Sequence, residues 1–252
     1  MLLEEEKMSN KNELRTDLLS DKYAPYKNVN LGILKELLFV LAGNVFTLSL
    51  IATIVSLILF NVNIVDRTCI TEFVSYSIIF ALMITILRGD IKKYLPKFKN
   101  WVPYVVGVAV GLSVLLLDEL YVRFVNIFYT TGNGGNGTDI GKIVSIYPVA
   151  SLFMFGFIGP MCEELTYRVG LFGSLKRWNR VWAYIISSLV FGFIHMKFQG
   201  NIATEFILLP TYVFPGVMFA LAYDMYDLPC SYTAHITNNL IAIISVIIKV
   251  HS

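Results

Sequence analysis

Charge is scarce in this chain. Only 15% of its 252 residues are Asp, Glu, Lys or Arg, against roughly 25% in a typical soluble domain. With 56% hydrophobic residues and a mean hydropathy of +0.66, that deficit excludes an ordinary soluble domain and calls for a polytopic membrane protein. The net charge of +2 is too small to argue for nucleic acid as a partner. Cysteine is scarce too. Cys69, Cys162 and Cys230 are scattered with no Cys-x-x-Cys spacing, so the three are expected to be reduced rather than to form a disulfide framework. The first 35 residues lack the apolar run of a cleavable signal peptide. They are charge-rich, carry Glu4-Glu5-Glu6, and read as a cytoplasmic N-terminal arm (1–35) ahead of a transmembrane domain (36–252). No His-Glu-x-x-His segment is present, so the strongest zinc-protease signature is missing.

What is abundant is the long apolar run. A spanning helix needs about 20 predominantly apolar residues. Candidate spans run over 37–62, 71–87, 102–128, 143–175, 181–196, 202–223 and 231–248. The expected fold is therefore all-α, a polytopic transmembrane helical bundle of about seven spans (six to eight), enclosing a polar cavity. Pro210 and Pro215 should kink the sixth span. The Gly/Asn-rich stretch 130–138 reads as a flexible loop. Lysine and arginine cluster before the first span, in the connector 88–99 and at Lys176-Arg177-Trp178-Asn179-Arg180, while the alternate connectors hold only Arg67 and Lys142. By the positive-inside rule this places the N-terminus in the cytoplasm of a multi-pass cell-membrane protein. An odd number of spans then puts the C-terminus outside.

Against this apolar background a few polar residues stand out. Charges at membrane depth cost several kcal/mol unless paired or hydrated, and so mark working sites. Glu163-Glu164 are followed by Arg168. On a helix Glu164 and Arg168 share a face, where a bidentate pair would lower the cost of burying the carboxylate. Glu163 is rotated about 100° away and is free to face another partner. A helix-end ion pair would explain Glu164 and Arg168 but leave Glu163 without a reason. His195 ends the apolar segment Phe191-Gly192-Phe193-Ile194. His235 and Asn239, four apart, project from one face, and Asn238 points elsewhere. Each taken alone reads as structural: a satisfied histidine, or interhelical hydrogen-bond glue. Together the segments hold a carboxylate base, a second proton-handling group and donors for an oxyanion, the parts of a water-based peptidase. The string Asp118-Glu119-Leu120-Tyr121-Val122-Arg123 echoes the Glu163–Arg168 segment, but is expected only to pair Glu119 with Arg123 across one turn.

Glu-Glu-x-x-x-Arg, then Phe-x-x-x-His, then His-x-x-x-Asn on successive membrane segments resembles the CPBP family, the intramembrane endopeptidases that include CAAX prenyl proteases and bacteriocin-processing or immunity (Abi) proteins. The resemblance covers about 149–244, the expected catalytic core. It implies that Glu163 and His195 activate the attacking water, that Glu164 and Arg168 hold the base and help position the peptide, and that His235 and Asn239 stabilise the oxyanion, with Phe191 as packing. Eukaryotic CAAX members often carry a further histidine after the second motif. Here Met196-Lys197-Phe198-Gln199 follows, which suits a bacterial member and weakens the case for prenylated substrates.

The expected activity is hydrolysis of a peptide bond in a peptide or membrane-anchored precursor. The expected partners are that substrate and the lipid bilayer, and no metal or other cofactor is expected. The alternative chemistry is a Zn²⁺ site built from Glu163, His195 and His235. The alternative function is a non-catalytic scaffold or bacteriocin-immunity partner that binds a peptide or membrane protein through the same cavity. A transporter with an ionisable midplane site is a third reading, but no inverted repeat supports it.

Overall fold

The structure is a computed structural model that describes residues 27–129, 135–196 and 201–251. Most of the N-terminal arm, the head of the glycine-rich loop and residues 197–200 lie outside the described residues. Among the described residues every regular element is a helix. In chain order these are α1 (Ile33–Gly43), α2 (Val45–Ile58), α3 (Ile64–Leu87), α4 (Ile91–Phe98), α5 (Val102–Asn126), α6 (Gly135–Ile146), α7 (Pro148–Lys176), α8 (Arg180–Phe193), α9 (Ile202–Leu208) and α10 (Pro210–His251).

Asparagine punctuates the bundle. The side chains of Asn44, Asn63, Asn179 and Asn201 accept from the backbone N–H of Thr47, Asp66, Trp182 and Ala203, and so cap the starts of α2, α3, α8 and α9. Each cap satisfies a donor that the first turn leaves open. Pro148 opens α7, where its missing N–H costs nothing. Tyr147 breaks the helix before it with φ −124 and ψ 61, so the unusually long fourth apolar run resolves into α6 and a separate span. Residues 135–138, expected in a loop, instead form the first turn of α6. The rest of α6 packs on α3, α7 and α10, and that packing outweighs the entropic cost of the glycines.

Five segments are long and apolar enough to cross a membrane: 33–58, 64–87, 102–126, 148–176 and 202–249. The last is a hairpin. Asp227, with φ 64 and ψ −171, interrupts α10. Before it, the chain runs antiparallel to α5, since Tyr121 meets Phe214 and its hydroxyl donates to Ile207 O, while Tyr129 bonds Thr204. After it, the chain runs parallel to α5. A Cβ on Gly107 would meet Cys230 O at 2.7 Å, and one on Gly111 would meet Ala234 O at 2.5 Å. Only glycine permits backbones this close, the small-residue packing that joins helices in lipid. Counting the two arms of the hairpin separately gives six spans, and α8, at 14 residues, is a shorter apolar helix beside them.

One consequence is that residues 27–36, the 88–101 connector, 176–180 and Asp227 all gather at one end. There Asn28 donates to Tyr223 O at 2.7 Å, and Val29 N–H donates to Asp227 Oδ2 at 3.1 Å. Lys176 and Arg180 pair with the fully buried Asp224 at 2.8 and 2.6 Å. Arg177 grips both oxygens of Glu36, and Lys35 and Lys93 pair with Asp90. Trp101, Trp178 and Trp182 are exposed at the same end, as in the aromatic belt at a membrane interface. The waist of the bundle presents Leu50, Ile54, Leu57, Leu112, Leu116 and other large apolar side chains outward, a surface suited to lipid rather than water. Cys69, Cys162 and Cys230 are free and buried.

Candidate active site

Glycine and small residues thin the helices around the centre of the bundle, where a cavity of about 990 Å³ opens. Glu163, His195, His235 and Asn239 all line it. They come from α7, the end of α8 and the second arm of α10, so three segments remote in sequence converge on one polar chamber. Glu164 and Arg168 stand behind the wall, fully buried.

The local backbone of α7 is unusual. It is π-helical over Met154–Ile158 and again over Glu164–Phe172. Such wide turns are rare and gather at functional sites. Glu163 sits at the junction, immediately before the second π segment. Glu163 keeps 18% of its side chain exposed, whereas Glu164 keeps none. The two adjacent acids therefore occupy different worlds, as the sequence spacing implied.

His235 connects them. Its Nδ1 lies 3.0 Å from Glu164 Oε1 and its Nε2 3.7 Å from Glu163 Oε2. A carboxylate oxygen accepts, so Nδ1 carries the proton and donates to Glu164, which fixes the ring's orientation. The ring stacks on Phe219 at 4.6 Å. His195 is oriented in the same way: its Nδ1–H donates to Phe191 O at 2.6 Å, and its ring stacks on Tyr212 at 4.9 Å. In the neutral ring this leaves Nε2 as the acceptor. Asn239 donates to Phe155 O at 2.9 Å and accepts from Asn238 at 3.2 Å, so one N–H of its amide stays available.

Arg168 departs from the expected geometry. Its contact with Glu164 is a single Nε–Oε2 approach of 3.4 Å rather than a bidentate fork. Its guanidinium instead lies over the Phe191 ring at 4.6 Å and near Phe219 at 5.7 Å. Cation–π attraction of this kind strengthens when water is excluded. Phe191 thus packs Arg168, His195, His235 and Tyr167 at once. Asn238, expected to point elsewhere, also lines the cavity. The outlying pair Glu119–Arg123 forms at 2.6 Å on the exposed surface, so the echo of the motif is no second site. Sequence reasoning passed over Glu72 and met Asp118 only as part of the echo; they line the cavity from α3 and α5. The available signal was a lone acid within an apolar run. Among the described residues no group of three His, Cys, Asp or Glu side chains is gathered closely enough to hold a metal ion.

Residues 145–241 match the family model described as Type II CAAX prenyl endopeptidase Rce1-like, a stretch that contains every motif named above. The chain is 33% identical over 118 residues to the membrane-embedded CAAX protease MroQ of Staphylococcus aureus, covering 42% of this chain and 44% of that protein. It is 33% identical over 108 residues to an uncharacterized protein of Mycoplasma capricolum, covering 42% and 30%. It is 28% identical over 104 residues to the UPF0177 protein YvdC of Lactococcus lactis, covering 41% and 37%. The alignments thus span less than half the length of these three relatives. No solved structure matches the chain at a significant level.

Proposed function

We propose that this chain is an intramembrane endopeptidase that hydrolyses a peptide bond in a peptide or membrane-anchored precursor, with water activated by Glu163 and His195. The observation that carries the reading is the contrast between the two glutamates. Glu164 is fully enclosed and accepts from His235 Nδ1–H, whereas Glu163 lines the cavity with part of its side chain open, and His235 Nε2 lies 3.7 Å from its Oε2. Glu163 takes the proton of water as hydroxide adds to the scissile carbonyl, and His195 Nε2 shares that proton and passes it to the departing amine. The second N–H of Asn239 binds the oxyanion, and His235, in the form with protons on both nitrogens, adds a bond from Nε2–H, with Glu164 compensating the charge of that ring. Arg168 holds Glu164 in place from behind. The reaction needs no metal in this scheme, since every proton has a named donor and acceptor among the side chains. The basic, tryptophan-bearing end, which carries residues 27–36, faces the cytoplasm of a cell membrane by the charge rule.

The test compares membrane proteomes of cells expressing wild type or Glu163→Gln. One uncut precursor should accumulate in the variant. If Glu163→Gln complements a deletion fully, the protein acts as a peptide-binding scaffold or immunity partner instead, through the same chamber.

A further inference from the structure

Asp118 and Asn238 are polar residues of the cavity wall that the hydrolytic scheme does not use. Both carry a buried oxygen, Oδ1, with no hydrogen-bond partner. The orientation of the Asn238 amide follows from its neighbours. Phe155 O can only accept, so Asn239 presents its nitrogen there and its oxygen to Asn238. Asn238 must then offer its own nitrogen to Asn239, which leaves its oxygen as the unpartnered end.

Helix register sets the two residues along one wall of the cavity. Gly111 of α5 abuts Ala234, and Val114 shares a packed cluster with Ala234 and Phe219. The second arm of α10 runs parallel to α5, so Asn238 follows one turn beyond Ala234 and Asp118 two turns beyond Gly111, about one turn farther along the same cavity wall. Along the helix axis Asn238 lies about 4.5 Å beyond His235, and Asp118 about one turn beyond that. A buried acceptor without a donor costs about 1–3 kcal/mol, and two in the wall of one cavity call for a group that donates and does not accept. Lysine, arginine and tryptophan are the side chains with that property, and beside a carboxylate only lysine and arginine also bring the opposite charge. The other charged cavity-lining residues among the described ones are Glu72, Glu163 and Lys142, so the acids outnumber the one cation.

We propose that Asp118 and Asn238 form a subsite for a lysine or arginine side chain of the peptide, within about two residues of the bond to be cut. This rests on the endopeptidase reading and names its substrate class, a basic peptide.

The probes are fluorescent dodecapeptides of Leu and Ala carrying Lys, norleucine or Glu at one central position. Binding is measured to Glu163→Gln protein in lipid nanodiscs, and cutting with Glu163 intact. The lysine peptide should bind roughly 10-fold more tightly than the norleucine peptide, an increment typical of one well-placed ionic contact. Asp118→Asn should collapse that ratio to about 2-fold or less, and Asp118→Lys should invert the preference toward Glu. Equal affinity for all three peptides, or a lysine preference that survives Asp118→Asn in protein with an unchanged unfolding midpoint, overturns the subsite. Cutting without lysine preference overturns the subsite alone. Selective binding of the lysine peptide without cutting overturns the protease reading and leaves the subsite standing.

Discussion

His235 stacks on Phe219 at 4.6 Å because each stands eight residues from Asp227, on opposite arms of one helical hairpin. Asp227 makes the reversal with a positive φ of 64 and an extended ψ of −171, a region that costs a non-glycine residue of order 1–3 kcal/mol. Its side chain offsets that strain by accepting from Leu228 N–H at 2.8 Å and Val29 N–H at 3.1 Å. Asp227→Ala should therefore lower stability more than Asp227→Gly, which loses the same bonds but relieves the backbone. Thermal unfolding in detergent checks the ranking, and the reverse order would count against a strained turn.

Glu163→Gln and His195→Ala should each reduce cleavage roughly 10²–10⁴-fold, with unfolding midpoints close to wild type. Glu163 is partly exposed and its one ion-pair contact, to His235, is a long 3.7 Å, while His235 keeps Glu164, so its loss leaves no buried charge without a counter-charge. Turnover of a precursor in nanodiscs is the measurement. Near-wild-type turnover in either variant removes that residue from the scheme.

Arg168 and Glu164 behave as a unit. Removing one alone leaves the other buried without its counter-charge, a penalty of about 3–5 kcal/mol for enclosed pairs. Arg168→Met should thus be strongly destabilising, and adding Glu164→Gln should recover part of the stability while leaving cleavage absent. A double variant less stable than Arg168→Met would contradict the pairing.

The Asp90 carboxyl is held below its ordinary range, first by its hydrogen bond to Lys35 and then by Lys93. A group with a depressed folded value contributes stability that is present above its unfolded pKa of about 3.9 and is lost as pH falls through the folded value. The stability gap between wild type and Asp90→Asn should be full above about pH 4 and should close on further acidification. A gap that widens with acid would show the sign to be wrong.

Cleavage should survive dialysis against strong chelator, with no stoichiometric metal in the purified protein. Stoichiometric zinc whose removal abolishes cutting, restored on adding it back, would replace the carboxylate scheme with a Lewis-acid one.

Much of this was legible before any coordinates. Apolar length located the spans, and the spacing of Glu163, Glu164 and Arg168 separated one exposed acid from one enclosed acid. What was hidden depended on register between helices. The cavity position of Asn238 follows from how tightly Gly107 and Gly111 let α5 approach the hairpin, which no single segment encodes. The π-helical backbone after Glu163 was hidden because its cause is the packing of α7, not the propensity of Glu-Leu-Thr-Tyr-Arg. The one-pronged Arg168 contact reflects competition from the Phe191 ring, a residue of another helix.

The strap formed by Asn28 and Val29 binds partners nearly two hundred positions downstream, at Tyr223 and Asp227. The ribosome makes this stretch before α1 and its docking sites only within α10. Until the final hairpin has inserted, those amides and the carboxylate of Asp227 face solvent, and the chamber's third wall does not exist. A chain that stops short of the hairpin therefore lacks that wall, so whatever chemistry the chamber supports awaits the hairpin.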